Sequence, residues 1–597
     1  MKTFSLKEKH REMPAYDAFS PGGSKMWYVP HFKICAARET AVQICLPLRV
    51  FAGDAFHNYK SPKLRYPTPM SAVLEAKGTD EIISINPATG VEVGRVPQTS
   101  SGEVKAAVTR SRAAFAGWKN TSFAQRRALI MKAREVILAK MDDIAHLISA
   151  ESGKPFGEAI AMEIAPVLDL MQYFARNAEK MLGPKRVGIG LYALLGRSSK
   201  IVYHPLGVVG IIPAWNYPFS IPLGEAAMAL MAGNSVVIKP SELTPLVGLK
   251  IGEIFTNAGA PSDLVQIVTG DGHTGAALVD AAPDKIMFTG SVATGKKIAE
   301  AAAKNLTSVV LELGGKDPMI VFDDADLDLA AGAAVWGAFC NSGQSCSSVE
   351  RLYVQEGAAD ALTKKIVELT KKLVQGAGEN ENVSVGAMSS EKQLQSVETH
   401  VEDFKRHGAK IEIGGRRSAN RSVRTPLFYE PTVITGATND MLAMQEETFG
   451  PTLPIATFKT EDEAVRLAND SEFGLTASVW TRDLAKGNRV AEKIEAGSVC
   501  INEVLYTHGI GQTPWGGFKN SGRGRTHGRE GLMELVQPQH IHTNRFAVLP
   551  DAWWLPYSPE AVKTFRGFAK YFASGSVIKT TRLLPQLFKR IMELKKR

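Results

Sequence analysis

The chain has 597 residues, 44% of them apolar and 22% charged, with a formal net charge of +9. That length exceeds what one hydrophobic core can serve and predicts two or three domains, and the composition excludes a mainly disordered chain. The excess charge sits at the two ends, six net positive charges in 1–69 and eight in 560–597, so that 70–559 stands at −5 and offers no nucleic-acid groove.

Residues 1–69 mix Pro, Gly, Lys and scattered aromatics with no sustained period, and Met70 opens a segment that soon becomes regular. This change predicts a dispensable extension at 1–69 and translation from Met70. Lys25, Lys33 and Arg38 interrupt every apolar run of the first 40 residues, so no secretory signal is expected. No stretch of about 20 apolar residues predicts a transmembrane helix. Five cysteines, at 35, 45, 340, 346 and 500, form no Cys-x-x-Cys metal knuckle and no even framework. They point to a reducing compartment, the cytoplasm, and to no metal site.

Amphipathic runs at 104–118 and 124–149 predict helices. From Val208 the pattern becomes strand, turn, helix. Strands are expected at 208–212, 235–239, 265–268 and 285–289, and helices at 224–232, 248–258, 276–281 and 293–304. Short apolar strands alternating with helices imply an α/β fold with a parallel, Rossmann-like sheet. Strands at 308–313 and 319–322 continue the alternation into a second α/β unit that runs to about Gly522.

Beyond Asp551, Phe565, Phe568 and Phe572 recur at helical spacing, as do Leu584, Leu587, Phe588, Ile591 and Leu594. Pro585 starts a second helix or kinks a single one. A basic amphipathic tail flanked by Trp553, Trp554 and Tyr557 suits the interface of an anionic membrane. Docking on the protein's own surface, or on a neighbouring subunit, is the alternative.

Several segments carry chemistry. Cys346 ends Phe339-Cys340-Asn341-Ser342-Gly343-Gln344-Ser345-Cys346, and Glu312 lies in Leu311-Glu312-Leu313-Gly314-Gly315-Lys316. Pro213-Ala214-Trp215-Asn216-Tyr217-Pro218 follows the first strand, and Lys239-Pro240-Ser241-Glu242 the second. Gly290-Ser291 and Gly295 open a helix after the strand at 285–289; their glycines let a phosphate approach the backbone, and the helix start favours an anion. Glu447-Thr448-Phe449-Gly450-Pro451 and Pro514-Trp515-Gly516-Gly517-Phe518 follow.

Together these segments resemble the signature motifs of the NAD(P)-dependent aldehyde dehydrogenase superfamily, in the family's order and spacing, over about residues 80–545. The resemblance implies that the Cys346 thiol attacks an aldehyde carbonyl, since an alkoxide adduct can expel hydride. A lone buried cysteine is ordinarily inert; its place in this motif argues otherwise. Glu312 is then the base that activates water to hydrolyse the thioester, and relatives that pass the acyl group to coenzyme A usually lack it. Asn216 and the Cys346 backbone N–H are the implied oxyanion donors.

Lys239, Ser241 and Glu242 are the implied adenosine-ribose contacts, with Glu242 favouring NAD over NADP while leaving NADP open. Gly290, Ser291 and Gly295 approach the pyrophosphate, Glu447 and Phe449 the nicotinamide end, and Pro213, Trp215 and Leu313 complete the cofactor site. Trp515, Tyr217, Met171 and Ser345 are assigned to the substrate pocket. Ser348 stands where the family usually has a smaller residue. Tyr506-Thr507-His508-Gly509 matches no familiar branch, and His508 reads as structural. No Arg is clearly placed for a substrate carboxylate; Arg351 and Arg424 are the two left open for that role.

The resemblance further implies a small β oligomerisation arm near 186–204 and a homodimer or homotetramer. The expected division is an extension (1–69), a cofactor domain (70–185 and 207–313), an arm (186–206 and 526–550), a catalytic domain (314–525) and the basic tail (551–597). The expected reaction is oxidation of an aldehyde to the acid, on medium- or long-chain apolar aldehydes that partition into a membrane. An acylating or semialdehyde-specific enzyme is the alternative, and a cofactor-binding protein without turnover is disfavoured by the intact Cys346, Glu312 and Asn216.

Overall fold

Val208–Ile212, Ser235–Ile238, Val265–Ile267, Lys285–Thr289 and Ser308–Glu312 form parallel strands of one sheet. The computed structural model describes residues 81–597 except 195, 379–381, 420–424, 577, 579–580 and 597. The readings made for 1–69, for a start at Met70 and for Arg424 lie outside the described residues. Every residue of the strands at 208–212, 235–238 and 285–289 is buried, because helices cover both faces; hence continuous apolar runs rather than alternation.

The sheet order is Gly522–Arg523, Ser308–Glu312, Lys285–Thr289, Val208–Ile212, Ser235–Ile238, Val265–Ile267. The chain starts at the inner strand Val208–Ile212, builds outward on one side, then crosses to Lys285–Thr289 on the other. A crevice opens where the order reverses, at the carboxyl ends of those two strands. The loop carrying Trp215 and Asn216 and the loop carrying Gly290 and Ser291 both leave from there.

A second sheet has seven strands in the order Lys410–Ile413, Thr432–Thr435, Thr452–Phe458, Val349–Gln355, Asp317–Val321, Thr476–Trp480, Ser498–Ile501, parallel except for the first. Gly522–Arg523, expected within the catalytic segment, instead pairs antiparallel with Leu311 and Glu312 of the first sheet. The last segment of the second unit thus closes over the strand that bears Glu312. A three-stranded antiparallel sheet joins Lys185–Val187, Arg197–Pro205 and Val536–Asn544.

The helical run at 124–149 divides at Lys140 into Phe123–Ala139 and Met141–Ser152. Helix Ser101–Trp118 and helix Phe123–Ala139 each begin with a capping box, Ser100 with Glu103 and Ser122 with Gln125. Further on, a π-helical turn at Ala159–Ile164 leads into helix Ala165–Leu182.

The tail forms two helices, Pro559–Ala573 and Leu584–Lys595, each with proline in its first turn. Phe568, Leu583 and Leu587 pack with Ala552 against Trp553, Tyr571 and Ile591. Much of the apolar stripe is therefore spent within the tail itself. Trp554, Leu555, Tyr557, Phe572 and Phe588 stay exposed. No described helix is long and apolar enough to cross a membrane.

Candidate active site

Asn216 sits in the first crevice loop, 2% exposed, and its Nδ2 donates to the Gln344 carbonyl at 3.1 Å while Oδ1 has no partner. Its own carbonyl accepts from Lys154 Nζ at 2.7 Å and from Asn341 Nδ2 at 3.0 Å. Lys154 also pairs with Glu163 at 2.6 Å, and both side chains are fully buried. Glu163 in turn accepts from the N–H groups of Phe219 and Ser220 at 2.8 and 3.1 Å. This pair pins the Asn216 loop to the helices beneath it.

Replacing Lys154 by Met should leave Glu163 as an uncompensated buried charge. The expected destabilisation is about 3–5 kcal/mol, with partial recovery in a Lys154→Met/Glu163→Gln double variant. Chemical denaturation of the three proteins measures it; an unchanged midpoint in the single variant refutes the assignment.

Cys346 follows a stretch of left-handed backbone: Asn341, Ser342 and Gly343 have φ of +50°, +57° and +72°. Side chains and ends of this turn are held from several directions. Asn341 N–H donates to both oxygens of Glu158 at 3.1 and 3.0 Å, and Ser342 Oγ donates to the Gly386 carbonyl at 3.0 Å. Gln344 accepts from Ser389 N–H at 2.9 Å. At Gly343 any Cβ would collide with the Gly450 carbonyl, so only glycine fits. Non-glycine residues in this region cost roughly 1–2 kcal/mol each, which this many clamps can offset.

The Cys346 thiol packs against Leu475, Trp515 and Phe449 and hydrogen-bonds to the Glu312 carboxyl. Burial, with the nearby acids Glu312, Asp317 and Glu447, pushes the thiol well above its usual range, so it rests protonated. Burial also raises Glu312 to about 7, opposed by the thiol bond. Glu312 is 5% exposed and its Oε1 has no partner. A neutral thiol touching a carboxyl poised near neutrality can hand over its proton.

A cavity of about 300 Å³ reaches Cys346, with Tyr217 and Ser345 at its inner end. Its outer wall includes Met162, Ala165, Pro166, Leu505 and Tyr506. No Lys or Arg lines it; Asp169 is its one acidic residue.

Four readings of the sequence change here. Met171 is fully buried in the core behind the tunnel, since Ala165, Pro166 and Asp169 take the tunnel face of that helix. Trp515 lies beside the thiol and lines a separate inner cavity, not the tunnel. Ser348 Oγ turns away and donates to the Gly337 carbonyl at 3.0 Å, so it trims nothing. Arg351 is 1% exposed and satisfied by the carbonyls of Lys316 and Ala468, at 2.8 Å each, so it meets no substrate carboxylate.

The cofactor candidates gather at the crevice. Lys239, 5% exposed, reaches Glu242 at 3.4 Å, and Ser241 lies buried between them. Burial lowers the Lys239 ammonium, against Glu242. Ser291 caps helix Val292–Ala303 by accepting from Thr294 N–H. Gly290 and Gly295 keep the approach open: a Cβ at either would run into the Phe288 ring or the Leu313 side chain. Pro213 is buried behind Trp215, which meets Phe449 edge-on at 5.5 Å between ring centroids. Glu447 turns inward and accepts from Gly315 N–H at 3.0 Å. Its loop is fixed by Glu350, which takes N–H bonds from Thr448 and Phe449 at 2.8 Å each and pairs with Lys316 at 2.6 Å. An open glycine-lined helix start, a ribose-sized acid and cation, and two facing aromatics fit a dinucleotide. Among the described residues no His, Cys, Asp and Glu cluster suits a metal ion.

The model of the aldehyde dehydrogenase family matches residues 74–541. The chain belongs to that family. A 4,4'-diapolycopene aldehyde oxidase of Methylomonas sp is 39% identical over 491 residues, 82% of this chain and 91% of its own length. A putative NADP(+) succinate-semialdehyde dehydrogenase of Mycolicibacterium smegmatis is 40% identical over 461 residues, 76% of this chain and 87% of its length. The crystal structure of Staphylococcus aureus betaine aldehyde dehydrogenase in complex with NAD+ superposes with a TM-score of 0.76 at 34% identity, covering 81% of this chain and 95% of that one. An aldehyde dehydrogenase is an oxidoreductase, and the α/β architecture described above is that of the family.

Sequence reading missed the supports of this family site. Lys154, Glu158 and Glu163 lie in one short stretch and Asn341 and Glu350 in another, and the two stretches meet the Asn216 and Glu447 loops only in the fold. Glu225 alone left a trace, as the one acid in the apolar helix Ser220–Ala232.

Proposed function

We propose that this enzyme oxidises neutral apolar aldehydes of medium or long chain to free acids, through a thioester on Cys346 that Glu312-activated water hydrolyses. The observation that carries the reading is the Cys346 thiol, hydrogen-bonded to Glu312, at the inner end of a mostly apolar tunnel of about 300 Å³ that has no Lys or Arg in its lining. Glu312 takes the thiol proton, and the sulfur bonds to the carbonyl carbon. Asn216 Nδ2 and the Cys346 N–H donate to the developing alkoxide. When bound, the nicotinamide supplies the hydride acceptor. Glu312, once cleared of the thiol proton, takes a proton from water as its oxygen bonds to the thioester carbon; the C–S bond breaks and the departing sulfur takes that proton back from Glu312, which restores the thiol.

Lys239, Ser241 and Glu242 would hold the adenosine ribose, and Gly290, Ser291, Gly295, Pro213 and Leu313 the middle of the dinucleotide. Trp215, Glu447 and Phe449 would flank its nicotinamide end. Glu242 repels a 2′-phosphate and favours NAD, while the Lys239 ammonium 3.4 Å from it leaves NADP as a second cofactor. The tunnel lining has no cation for a second carboxylate, which sets this reading against a semialdehyde-acid substrate. Glu312 sets it against transfer to coenzyme A.

A panel of aldehydes assayed by NADH formation tests this. Decanal should exceed succinate semialdehyde in kcat/KM by about 10²-fold or more, unchanged by coenzyme A. A preference for the semialdehyde, or a requirement for coenzyme A, overturns it.

Two associations belong to the same proposal. The strand Val536–Asn544, exposed along most of its length at a sheet edge, suits an arm that meets a second copy in a dimer or tetramer. The tail suits an anionic bilayer: residues 560–597 carry ten Lys and Arg against two acids, beside the exposed Trp554, Leu555, Tyr557, Phe572 and Phe588. Each cation near an anionic leaflet contributes about 1 kcal/mol. The full chain should co-sediment with phosphatidylserine vesicles at low salt and release at high salt. Equal binding after deletion of 551–597 places the contact elsewhere.

A further inference from the structure

A second cavity borders Glu312 and shares Ile221 and His508 with the tunnel. Its volume is about 20 Å³, room for one water molecule. Glu312, Glu225, His508 and His527 are the titratable groups on its wall; Ser220, Thr289, Thr526 and Trp515 are uncharged neighbours. Glu225 comes from helix Ser220–Ala232, where every residue is buried. Its Oε2 has no hydrogen-bond partner, nor has Glu312 Oε1 or Trp515 Nε1. Two carboxyl groups with orphaned oxygens thus border a space that one water fills.

A buried acid in an apolar helix is costly to keep unless it does something. It is not paired with a cation, and its one electrostatic neighbour is Glu312. Meanwhile Glu312 has a disposal problem under the mechanism proposed above. It receives one proton from the thiol and, later in the same turnover, a second from the hydrolytic water that returns to the departing sulfur. It is itself sealed from solvent, so the thiol proton must leave before water can be activated.

We propose that Glu225 is the proton-relay residue that clears Glu312 across this water-sized cavity, with His508 as the outlet. The inference rests on the thioester reading of Cys346 and Glu312. Burial raises Glu225 to about 8 and Glu312 to about 7, with repulsion from Glu312 the smaller cause at Glu225. Two such neighbouring carboxyls facing one small cavity hold a proton between them as a pair. When the thiol adds to the aldehyde, its proton goes to Glu312. That proton crosses towards Glu225 Oε2 as the pair gives one up to an imidazole, so one proton enters the pair, one leaves, and Glu312 is ionised again when water is split. His508 lines both this cavity and the tunnel, and meets His527 edge-on at 4.8 Å between centroids. Burial lowers His508 to about 4 and His527 further, so each is neutral at rest and returns a proton quickly.

Glu225→Gln keeps the shape and removes the relay. With decanal and NAD, the burst of NADH should keep its amplitude, while the rate after the burst falls by about tenfold or more. Intact mass should show the acyl adduct on the protein, and Glu225→Asp should recover part of the rate. Absence of an acyl adduct and of any Cys346-dependent turnover in the wild-type enzyme would count against the Cys346 chemistry rather than the relay. A wild-type rate after the burst overturns the relay, as does a parallel fall of burst and later rate. Should the Gln variant melt early, Glu225→Ala decides: formate must restore the later rate several-fold and formamide, which cannot accept the proton, must not. Failure of formate to do so overturns the proposal.

Discussion

Cys346→Ala is expected to lower steady-state aldehyde oxidation by roughly 10⁴–10⁶-fold, as when a covalent nucleophile is removed elsewhere. The thiol is the strongest nucleophile at the inner end of the tunnel: Ser345 offers an unactivated hydroxyl, and Tyr217 is held well above its usual range by burial and stays protonated. The cofactor candidates belong to other segments: Lys239 and Glu242 to the strand end, Ser291 to its helix, Glu447 to a loop fixed by Glu350. NAD affinity, read by fluorescence titration, should therefore change by less than about twofold. Alanine also fits the site that Leu475, Trp515 and Phe449 enclose, so the melting temperature should hardly move. Residual turnover within about tenfold of wild type would falsify the nucleophile assignment.

Glu312→Gln is expected to separate the two halves of the reaction. The later, hydrolytic phase should fall by about 10²–10⁴-fold, because a positioned base contributes that much. An acyl adduct should accumulate. The pH dependence has a definite sign. The active form of Glu312 is the carboxylate, and burial lifts its ionisation to about 7. Wild-type hydrolysis should therefore rise about tenfold per pH unit below about 6 and level off above about 8. The Gln variant should lose that rise. A variant that keeps both the rate and the profile removes Glu312 from the role.

The parallel strands around the crevice were legible because helices bury them on both faces, leaving unbroken apolar runs between turn residues. The chemistry-bearing segments were legible as motifs, and the structure brings Cys346 to Glu312 and Asn216 to the residue two before Cys346. What periodicity could not supply was phase and partners. The resemblance alone assigns Met171 to the pocket; the π-helical turn at Ala159–Ile164 leads into a helix on which Ala165 and Asp169 face the tunnel while Met171 lands in the core. The break at Lys140 carries no Gly or Pro to announce it. The tail's amphipathic spacing was correct, yet spacing names a face and not what covers it; half of that face is covered by the tail's own second helix. Gly522–Arg523 crosses to the first sheet through backbone pairing, which no side-chain pattern records.

The left-handed turn before Cys346 is anchored by Glu158, Asn216, Gly386, Ser389 and the close approach of Gly450. The tunnel's outer wall comes from different pieces of chain, the π-turn and following helix on one side and Leu505–Tyr506 on the other. Reactivity and selectivity thus meet at the π-turn, where Glu163 helps to hold the Asn216 loop while its neighbour Met162 lines the tunnel, and otherwise rest on different side chains. Mutations that widen, narrow or recharge the wall at Met162, Pro166 or Tyr506 can shift the enzyme to new aldehydes while the reacting thiol stays in register. Such a layout makes the scaffold tolerant of drift in diet and intolerant of drift in chemistry.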